Sequence, residues 1–303
     1  MLTLKYCHCK RNYTQKRFAK KNFNQYICQK IMIMRKLFII FFIGSVLSSF
    51  AKATDNLRLP DIRTMGMGGT GAVHSVLFNP ALLAVRTTSE LRIDYYNRYS
   101  IKELGTISGG VSFLNDVLPV GLHIASFGYD AYRESMFRFS AGKLLNANLA
   151  VGIAVQYGLL QSELFETTSS RLSTDIGIAY RIVDNWLITG SVINVPSFSI
   201  RSEEVDNERI ALWMAEVGFN WHVINTLFIT GGVMRNNDTP LGVSVGMEYQ
   251  PFDDFHLRAG LKSAPFRPSL GIGYRFSRLT ADVVMIYHPV LGVSTGLGLS
   301  YSF

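Results

Sequence analysis

The sequence predicts an all-β protein, a transmembrane antiparallel up-and-down β-barrel of about fourteen strands with an N-terminal hatch in its lumen. Apolar residues alternate with small or polar residues through most of residues 89–303, which is the period of a half-buried strand. The apolar rows commonly end in aromatic residues, as the interfacial girdles of such barrels do. Beyond residue 53 no apolar run reaches the roughly 18 residues of a membrane-spanning helix, which excludes a helical membrane protein.

The alternation is clearest in residues 241–250 and 291–303. In the first, Leu, Val, Val, Met and Tyr face one side, and Gly, Ser, Gly, Glu and Gln face the other. The second runs to the last residue, so that Tyr301 and Phe303 end the final strand on its apolar face. A soluble β-sandwich also alternates, but the aromatic ends and the small-residue face favour a barrel around a lumen. The terminal aromatic residue resembles the signal read by the outer-membrane barrel assembly machinery.

The pattern divides the chain into fourteen strands, an even number as single-chain bacterial barrels require. We expect them at residues 89–99, 104–114, 118–128, 133–143, 147–160, 171–183, 186–195, 208–222, 226–235, 241–250, 255–263, 267–276, 279–288 and 291–303. Segments 186–195 and 279–288 alternate poorly, so twelve strands is the alternative. The long connections, 161–170 and 196–207, fall on the outward side of this count, and the tight turns 144–146, 184–185 and 251–254 fall on the periplasmic side.

The leader, residues 1–53, reads as a secretory signal from Met34 onward. Arg35 and Lys36 precede an apolar run at 37–50, and Ala51 and Ala53 form a small-x-small cleavage site. A transmembrane anchor is the alternative, but the run is shorter than the roughly 20 residues that a spanning helix needs. We therefore divide the chain into an upstream segment, 1–33, outside the mature protein, a signal peptide, 34–53, a hatch segment, 54–88, and a barrel, 89–303.

The charge and cysteine content exclude several classes of function. The leader holds eleven of the 30 Lys and Arg residues and none of the 22 Asp and Glu residues, which leaves 19 basic against 22 acidic residues after it. The mature chain is therefore not basic, and its charge predicts no nucleic-acid partner. All three cysteines lie in the leader. The mature chain therefore has no disulfide, no thiolate metal site and no thiol nucleophile.

A glycine-rich segment precedes the first predicted strand. Residues 61–86 contain Gly66, Gly68, Gly69 and Gly71, followed by an Asn-Pro-Ala sequence at 79–81. The spacing of three of these glycines matches a dinucleotide fingerprint. No strand precedes the segment and no βαβ unit follows it, which argues against nucleotide binding.

The same residues resemble the N-terminal hatch of FadL-type outer-membrane barrels and of their relatives PorV and PorQ, which serve type IX secretion. The resemblance rests on Arg63, Gly66, Gly68 and Gly69, with Gly71, Asn79, Pro80 and Ala81 completing the motif. It implies that the segment folds inside the barrel as a plug. About eight strands can fill a barrel with their own side chains, whereas sixteen to eighteen leave a channel, so fourteen leave a lumen to be occupied. A plain periplasmic linker is the alternative.

Charged residues scattered over the strands are expected to line the lumen, because a charge facing lipid costs about 2 to 4 kcal/mol at the midplane. The set comprises Arg92, Asp94, Arg138, Asp175, Arg181, Glu216, Glu248, Arg258 and Arg275. They could hold the hatch through ion pairs. The five histidines of the mature chain form no catalytic constellation, and the acidic loop residues Glu203, Glu204 and Asp206 lack a calcium-binding pattern. We expect no catalytic residue, no metal and no cofactor.

Two functions fit this architecture in the bacterial outer membrane. The resemblance implies a transporter of small hydrophobic compounds, or a non-conducting scaffold for a secretion or cell-surface assembly with protein partners. Large outward loops that would capture fatty acids are absent from the sequence, and the longest expected loop is acidic. Long-chain fatty acid uptake is therefore disfavoured. Outer-membrane lipid and the assembly machinery are the partners common to both functions.

Overall fold

The computed structural model describes residues 57–163, 167–201, 213–236 and 241–303. The predicted signal peptide 34–53, its cleavage residues Ala51 and Ala53, the upstream segment 1–33 and the acidic loop residues 203–206 lie outside the described residues. Those predictions stay predictions. Within the described residues, no helix is long and apolar enough to cross a bilayer.

Fifteen strands occupy the described residues after the N-terminal segment. They are β1 (Glu90–Asn97), β2 (Gly105–Phe113), β3 (Val120–Tyr129), β4 (Tyr132–Leu144), β5 (Leu149–Ser162), β6 (Thr167–Val183), β7 (Trp186–Ile193), β8 (Ser197–Arg201), β9 (Met214–Ile224), β10 (Leu227–Asn236), β11 (Gly242–Phe252), β12 (Phe255–Lys262), β13 (Arg267–Phe276), β14 (Leu279–His288) and β15 (Gly292–Ser302).

Fourteen of these strands form a closed antiparallel barrel. Each strand pairs with its neighbours in sequence, except that β7 pairs directly with β9, and β1 pairs with β15 to close the sheet. The closing pair runs in register from Glu90 opposite Ser302 to Asn97 opposite Thr295. The prediction of a fourteen-strand barrel is confirmed, and the alternative of twelve strands is wrong.

The structure differs from the expected strands mainly on the outward side. The connection expected at 196–207 contains β8, which pairs antiparallel with residues 170–173 of β6. The loop expected at 161–170 is shorter, because β5 continues to Ser162 and β6 begins at Thr167. The strand expected at 208–222 begins at Met214 in the described residues and ends at Ile224. These strands extend beyond the expected length because they pair with one another above the rest of the barrel wall.

The outer face of the barrel is a continuous apolar surface. Its exposed side chains alternate with buried ones along each strand, as Ile176, Ile178, Tyr180 and Ile182 do on β6. Aromatic residues gather near the strand ends, where Trp186 stacks on Trp221 and Tyr301 stacks on Phe303. An apolar band with aromatic ends matches the hydrocarbon core and interfaces of a bilayer. The protein is an outer-membrane β-barrel.

The two ends of the barrel can be told apart by their connections. At the end where β1 begins and β15 finishes, the connections 184–185, 225–226, 253–254 and 277–278 are tight turns. The opposite end carries the connection of β7 to β9, with its extra strand. Short turns face the periplasm in such barrels and longer loops face outward. We therefore call these the periplasmic end and the outward end.

The N-terminal segment, described from residue 57 to 88, contains three short helices. They are α1 (Ile62–Gly66), α2 (Gly71–His74) and a 3₁₀ helix (Pro80–Ala84). The Asp61 side chain caps α1 by accepting from the Thr64 backbone N–H. The Asn79 side chain caps the 3₁₀ helix in the same way, and Pro80 begins it, where its missing N–H costs nothing. Most residues of these helices are buried.

Candidate functional site

The N-terminal segment lies inside the barrel, and one of its contacts is a row of three wall glycines. Gly142, Gly152 and Gly177 are direct partners on β4, β5 and β6 and face inward. The backbone of residues 79–81 rests on them. A Cβ atom at Gly152 would lie 2.3 Å from the Ala81 backbone N, well inside the distance that any side chain tolerates. Glycine therefore lets backbone approach backbone at this point.

A second glycine pair holds the middle of the segment. Gly246 on β11 and Gly260 on β12 are direct partners, and a Cβ at Gly260 would lie 2.1 Å from the Gly68 backbone N. Gly68 itself has φ +80°, and a Cβ there would approach the Leu261 and Val245 carbonyl oxygens to 2.9 Å. The turn at Gly68 thus needs glycine both for its conformation and for its space.

The remaining glycines of the motif occupy distinct positions. Gly66 lies against Gly271 of β13, with 3.2 Å from its would-be Cβ to the Gly271 Cα. Gly69 also has a positive φ of +75°, but a Cβ there would have open space around it. A Cβ at Gly71 would collide with the Phe78 ring. The first contact joins the segment to the wall, and the last folds the segment on itself.

Asn79 ties the segment together and joins it to β6. Its side-chain Nδ2 donates to the Ala72 carbonyl oxygen at 2.9 Å and to the Ile178 carbonyl oxygen at 3.1 Å. Its Oδ1 accepts from the Ala81 backbone N–H at 3.0 Å. The side chain is fully buried. An aspartate could not replace these donors, which explains why an amide stands before Pro80.

Asp175 is the centre of one buried ion-pair group, which we call the outward ion-pair group. Its Oδ2 accepts from Arg58 Nη1 of the N-terminal segment at 3.1 Å and from Arg138 Nε of β4 at 3.0 Å. All three side chains are inaccessible to solvent. Arg138 also donates to the Val76 carbonyl oxygen of the segment at 3.0 Å, so both arginines fix the segment to this part of the wall.

Glu248 is the centre of the second group, the periplasmic ion-pair group. Arg63 of the N-terminal segment donates to both its carboxylate oxygens, at 2.9 and 2.8 Å. Arg258 of β12 donates to Glu248 at 2.5 Å and to Asp282 of β14 at 2.7 Å. A two-pronged arginine contact is stronger and more directional than a single ion pair.

The two groups follow one rule. In each, an arginine of the segment binds a wall carboxylate that already binds a wall arginine, Arg138 for Asp175 and Arg258 for Glu248. Removing the segment would leave each carboxylate paired. Since an unpaired buried charge costs several kcal/mol, this arrangement lowers the cost of displacing the segment from the wall.

The other predicted lumen residues also lie on the inner side of the barrel. Glu216 of β9 accepts from the Ala72 backbone N–H at 3.0 Å. Asp94 lies 3.5 Å from Arg92. Arg181 lines the periplasmic opening, and Arg275 lies there with its Nη2 3.4 Å from His256 Nε2. Seven of the nine are buried, and Arg181 and Arg275 are exposed. None of this tests what they do.

An apolar cluster occupies the outward half of the lumen. From the N-terminal segment it contains Leu57, Leu77 and Phe78. The wall contributes Ala125, Phe127, Met136, Ile193 and Met214, with Leu104, Tyr132 and Met234 partly buried against them. Arg98 covers the cluster from the outward side, with its guanidinium 5.0 Å from the centre of the Phe127 ring. The lumen is therefore greasy toward the outside, although most inward positions elsewhere are small or polar.

Two spaces lie on the periplasmic side of this cluster. The polar cavity, of about 40 Å3, is bounded by the segment and by β1–β4. The vestibule, of about 370 Å3, opens at the periplasmic end beside Arg63, His74 and Arg181. His74 contacts the Phe228 ring, with ring centres 5.4 Å apart. Burial lowers the pKa of His74 to about 3, so this imidazole is neutral at the pH of the periplasm.

The site offers binding and displacement rather than a reaction. Among the described residues, no group of three or more His, Cys, Asp or Glu side chains could hold a metal ion. The buried acids and bases are engaged with one another or with the segment. What the arrangement can do is hold a removable peptide inside a membrane-spanning wall.

Sequence reasoning missed three parts of this site. Arg58 and Asp61 precede and open the recognised motif, and their partners lie far along the chain. The wall glycines were visible as a small face, but only strand register brings Gly142, Gly152 and Gly177 together. The apolar cluster had a signal: apolar side chains at inward positions, which the two-residue period assigns to small or polar residues.

Comparison with known proteins supports the fold through solved structures alone. No protein-family model matches the chain, and no curated protein matches it. The CymD monoaromatic hydrocarbon channel has a TM-score of 0.62 and 13% identity, covering 83% of this chain and 99% of CymD. The Pseudomonas putida toluene transporter TodX has a TM-score of 0.56 and 11% identity, covering 83% and 98%.

A Pseudomonas aeruginosa FadL homologue has a TM-score of 0.50 and 12% identity, covering 80% of this chain and 97% of its own. At such low identities the likeness concerns the fold. The fold of this chain is that of FadL-type outer-membrane barrels, as the N-terminal motif and the strand count predict.

The glycine row predicts a position-specific cost of a single methyl group. We expect Gly152→Ala to destabilise the protein by about 1–3 kcal/mol, because the new Cβ overlaps the backbone of residues 80–81. Gly109→Ala is the control, since a Cβ there would find its nearest neighbour at 3.6 Å. Denaturant unfolding in lipid vesicles and proteolysis of the N-terminal segment measure both effects. Equal behaviour of the two variants would contradict the contact.

The shared carboxylate predicts unequal costs for the two sides of an ion pair. Asp175→Asn should destabilise by about 3–5 kcal/mol, because it leaves Arg58 and Arg138 buried without a counter-charge. Arg58→Met should cost clearly less, because Asp175 keeps Arg138. Unfolding free energies of both variants decide the matter, and the reverse order would show that Arg138 does not neutralise Asp175 alone.

Proposed function

We propose that this protein passes small hydrophobic compounds across the outer membrane through a lumen that the N-terminal segment closes. The observation that carries the proposal is the apolar cluster in the outward half of the lumen. An apolar lining recruits solutes that leave water readily, and a barrel serving only as a wall would have no use for one. Three further observations support the proposal.

The lumen in its described state is too full for a solute to pass. The polar cavity below the apolar cluster measures about 40 Å3. A cavity of about 150 Å3 is what a benzene ring occupies in a protein core. The N-terminal segment must therefore shift before even a single ring can cross, which is the behaviour of a gate.

The wall is prepared for such a shift. Asp175 and Glu248 keep their wall arginines when the segment leaves, so the movement exposes no lone buried charge on the wall. The glycines that receive the segment have no side chains to be left without contacts. Both features keep the displaced state within a few kcal/mol of the closed one.

The size of the solute follows from what the cluster now holds. Phe78, Leu57 and Leu77 of the segment fill it, so the space that they vacate suits an aromatic ring or a short branched chain. CymD and TodX, which share the fold, are named as a monoaromatic hydrocarbon channel and a toluene transporter. We propose solutes of similar size for this chain.

A non-conducting scaffold for a secretion or cell-surface assembly is the second candidate. The dense packing of the segment favours it, because a filled barrel with buried ion pairs is also a rigid platform. In that case the partners would be secretion-system proteins that bind the outward connections. The two candidates differ in whether the intact protein moves any solute.

Deleting residues 57–86 should open a conducting pore in planar bilayers, because the segment occupies the lumen and the wall stays closed without it. Single-channel conductance of the deletion variant against the intact protein measures this. Conductance that stays at the level of the intact protein would sink the assignment of the segment as a plug.

The same preparations test transport itself. We expect liposomes with the intact protein to take up a small hydrophobic fluorescent probe faster than empty liposomes, and to exclude a hydrophilic dye of equal size. Uptake no faster than in empty liposomes would favour the scaffold and direct the search to partners at the outward end.

A further inference from the structure

The N-terminal segment fills the lumen unevenly. Its three helices pack mainly against β4–β7, β9, β10 and β12–β15. On β2 the inward residues Thr106, Ser108, Gly110 and Ser112 are small, and the Cβ that Gly110 lacks would meet His123 of the next strand rather than the segment. Space is therefore left between the segment and β1–β3.

The polar cavity lies in this space and reaches the apolar cluster. Leu77 and Met136 line the cavity and also belong to the cluster. Ser108 and Ser112 form its opposite wall. A solute that leaves the cluster toward the periplasm enters this cavity directly.

The other end of the cavity meets the vestibule. Asp61, Arg86, Glu90 and Arg92 line both spaces, so these four side chains stand between them. They are joined as Arg86 to Glu90 at 3.2 Å, Arg92 to Glu90 at 3.0 Å and Arg92 to Asp61 at 3.8 Å. We call them the charged strip. Asp61 and Arg86 belong to the N-terminal segment, and Glu90 and Arg92 belong to β1.

We infer that solutes cross between the N-terminal segment and strands β1–β3, from the apolar cluster through the polar cavity to the vestibule, and that the charged strip is the last barrier. This route rests on the proposed transport function. It adds which side of the segment opens and which side chains part. The remaining contacts of the segment lie on other walls, where its backbone rests directly on glycine.

Arg92 can leave the segment without becoming unpaired. Besides Asp61, it lies 3.5 Å from Asp94 and 3.6 Å from Asp282, and both of these carboxylates belong to the wall. Breaking its contact with Asp61 therefore leaves it among the wall carboxylates. The strip can open at a small electrostatic cost, since a buried arginine without any partner would be strongly unfavourable.

Single cysteines test the route, because the mature chain has none of its own. Ser112→Cys places a thiol in the polar cavity, and Ser191→Cys places one on the inward face of β7, away from the cavity. Both serines are buried. Each purified variant is labelled with a bulky methanethiosulfonate, its labelling verified by mass, reconstituted in liposomes and assayed for uptake of the hydrophobic probe.

The route predicts that labelled Ser112→Cys loses uptake to the level of empty liposomes, that reduction of the label restores it, and that labelled Ser191→Cys transports like the unmodified protein. Full uptake by labelled Ser112→Cys would overturn the route and leave the transport function standing. Equal loss in both variants would overturn it too, because the block would then not be specific to this side. No uptake by unmodified protein would overturn the function and the route together.

Discussion

A fourteen-strand barrel has a lumen wider than its own inward side chains fill, and the rest of the structure answers that constraint. The N-terminal segment occupies the space, and the inner wall receives its backbone on glycines at Gly152, Gly177 and Gly260. Any larger residue at these points would push the segment out. The alternation that a bilayer imposes on the outer face thus leaves every second position free, and the chain uses several of them to seat a peptide.

Buried charge fixes this peptide without making it permanent. Asp175 and Glu248 each bind one arginine from the segment and one from the wall. The segment is held by directional contacts, yet its loss leaves both carboxylates paired. A wall with lone carboxylates would bind the segment as a permanent part of the barrel. The apolar cluster toward the outside and the polar spaces toward the periplasm give this removable element a polarity that suits transport of an apolar solute.

The period-two alternation of the sequence predicted the strands, because a lipid-facing position must be apolar wherever it occurs. Segments 186–195 and 279–288 alternate poorly for a physical reason. Ile193 packs inward on the apolar cluster, and Val284 packs inward on Ile62 and Met65 of the N-terminal segment. Weak alternation therefore marked contact with the lumen contents. Strand β8 and the pairing of Arg58 with Asp175 could not be foreseen, because both depend on register between distant parts of the chain.

The account depends on the N-terminal segment yielding to an apolar solute, and amide hydrogen exchange in lipid vesicles tests this most directly. The amides of Gly68 and Ala72, which donate to wall side chains of β13 and β9, report the segment. The Gly142 amide, bonded to the Pro119 carbonyl oxygen, reports the barrel wall. We predict that a toluene-sized solute speeds exchange at the first two and leaves the third unchanged. Unchanged or slower exchange in the segment would contradict the account.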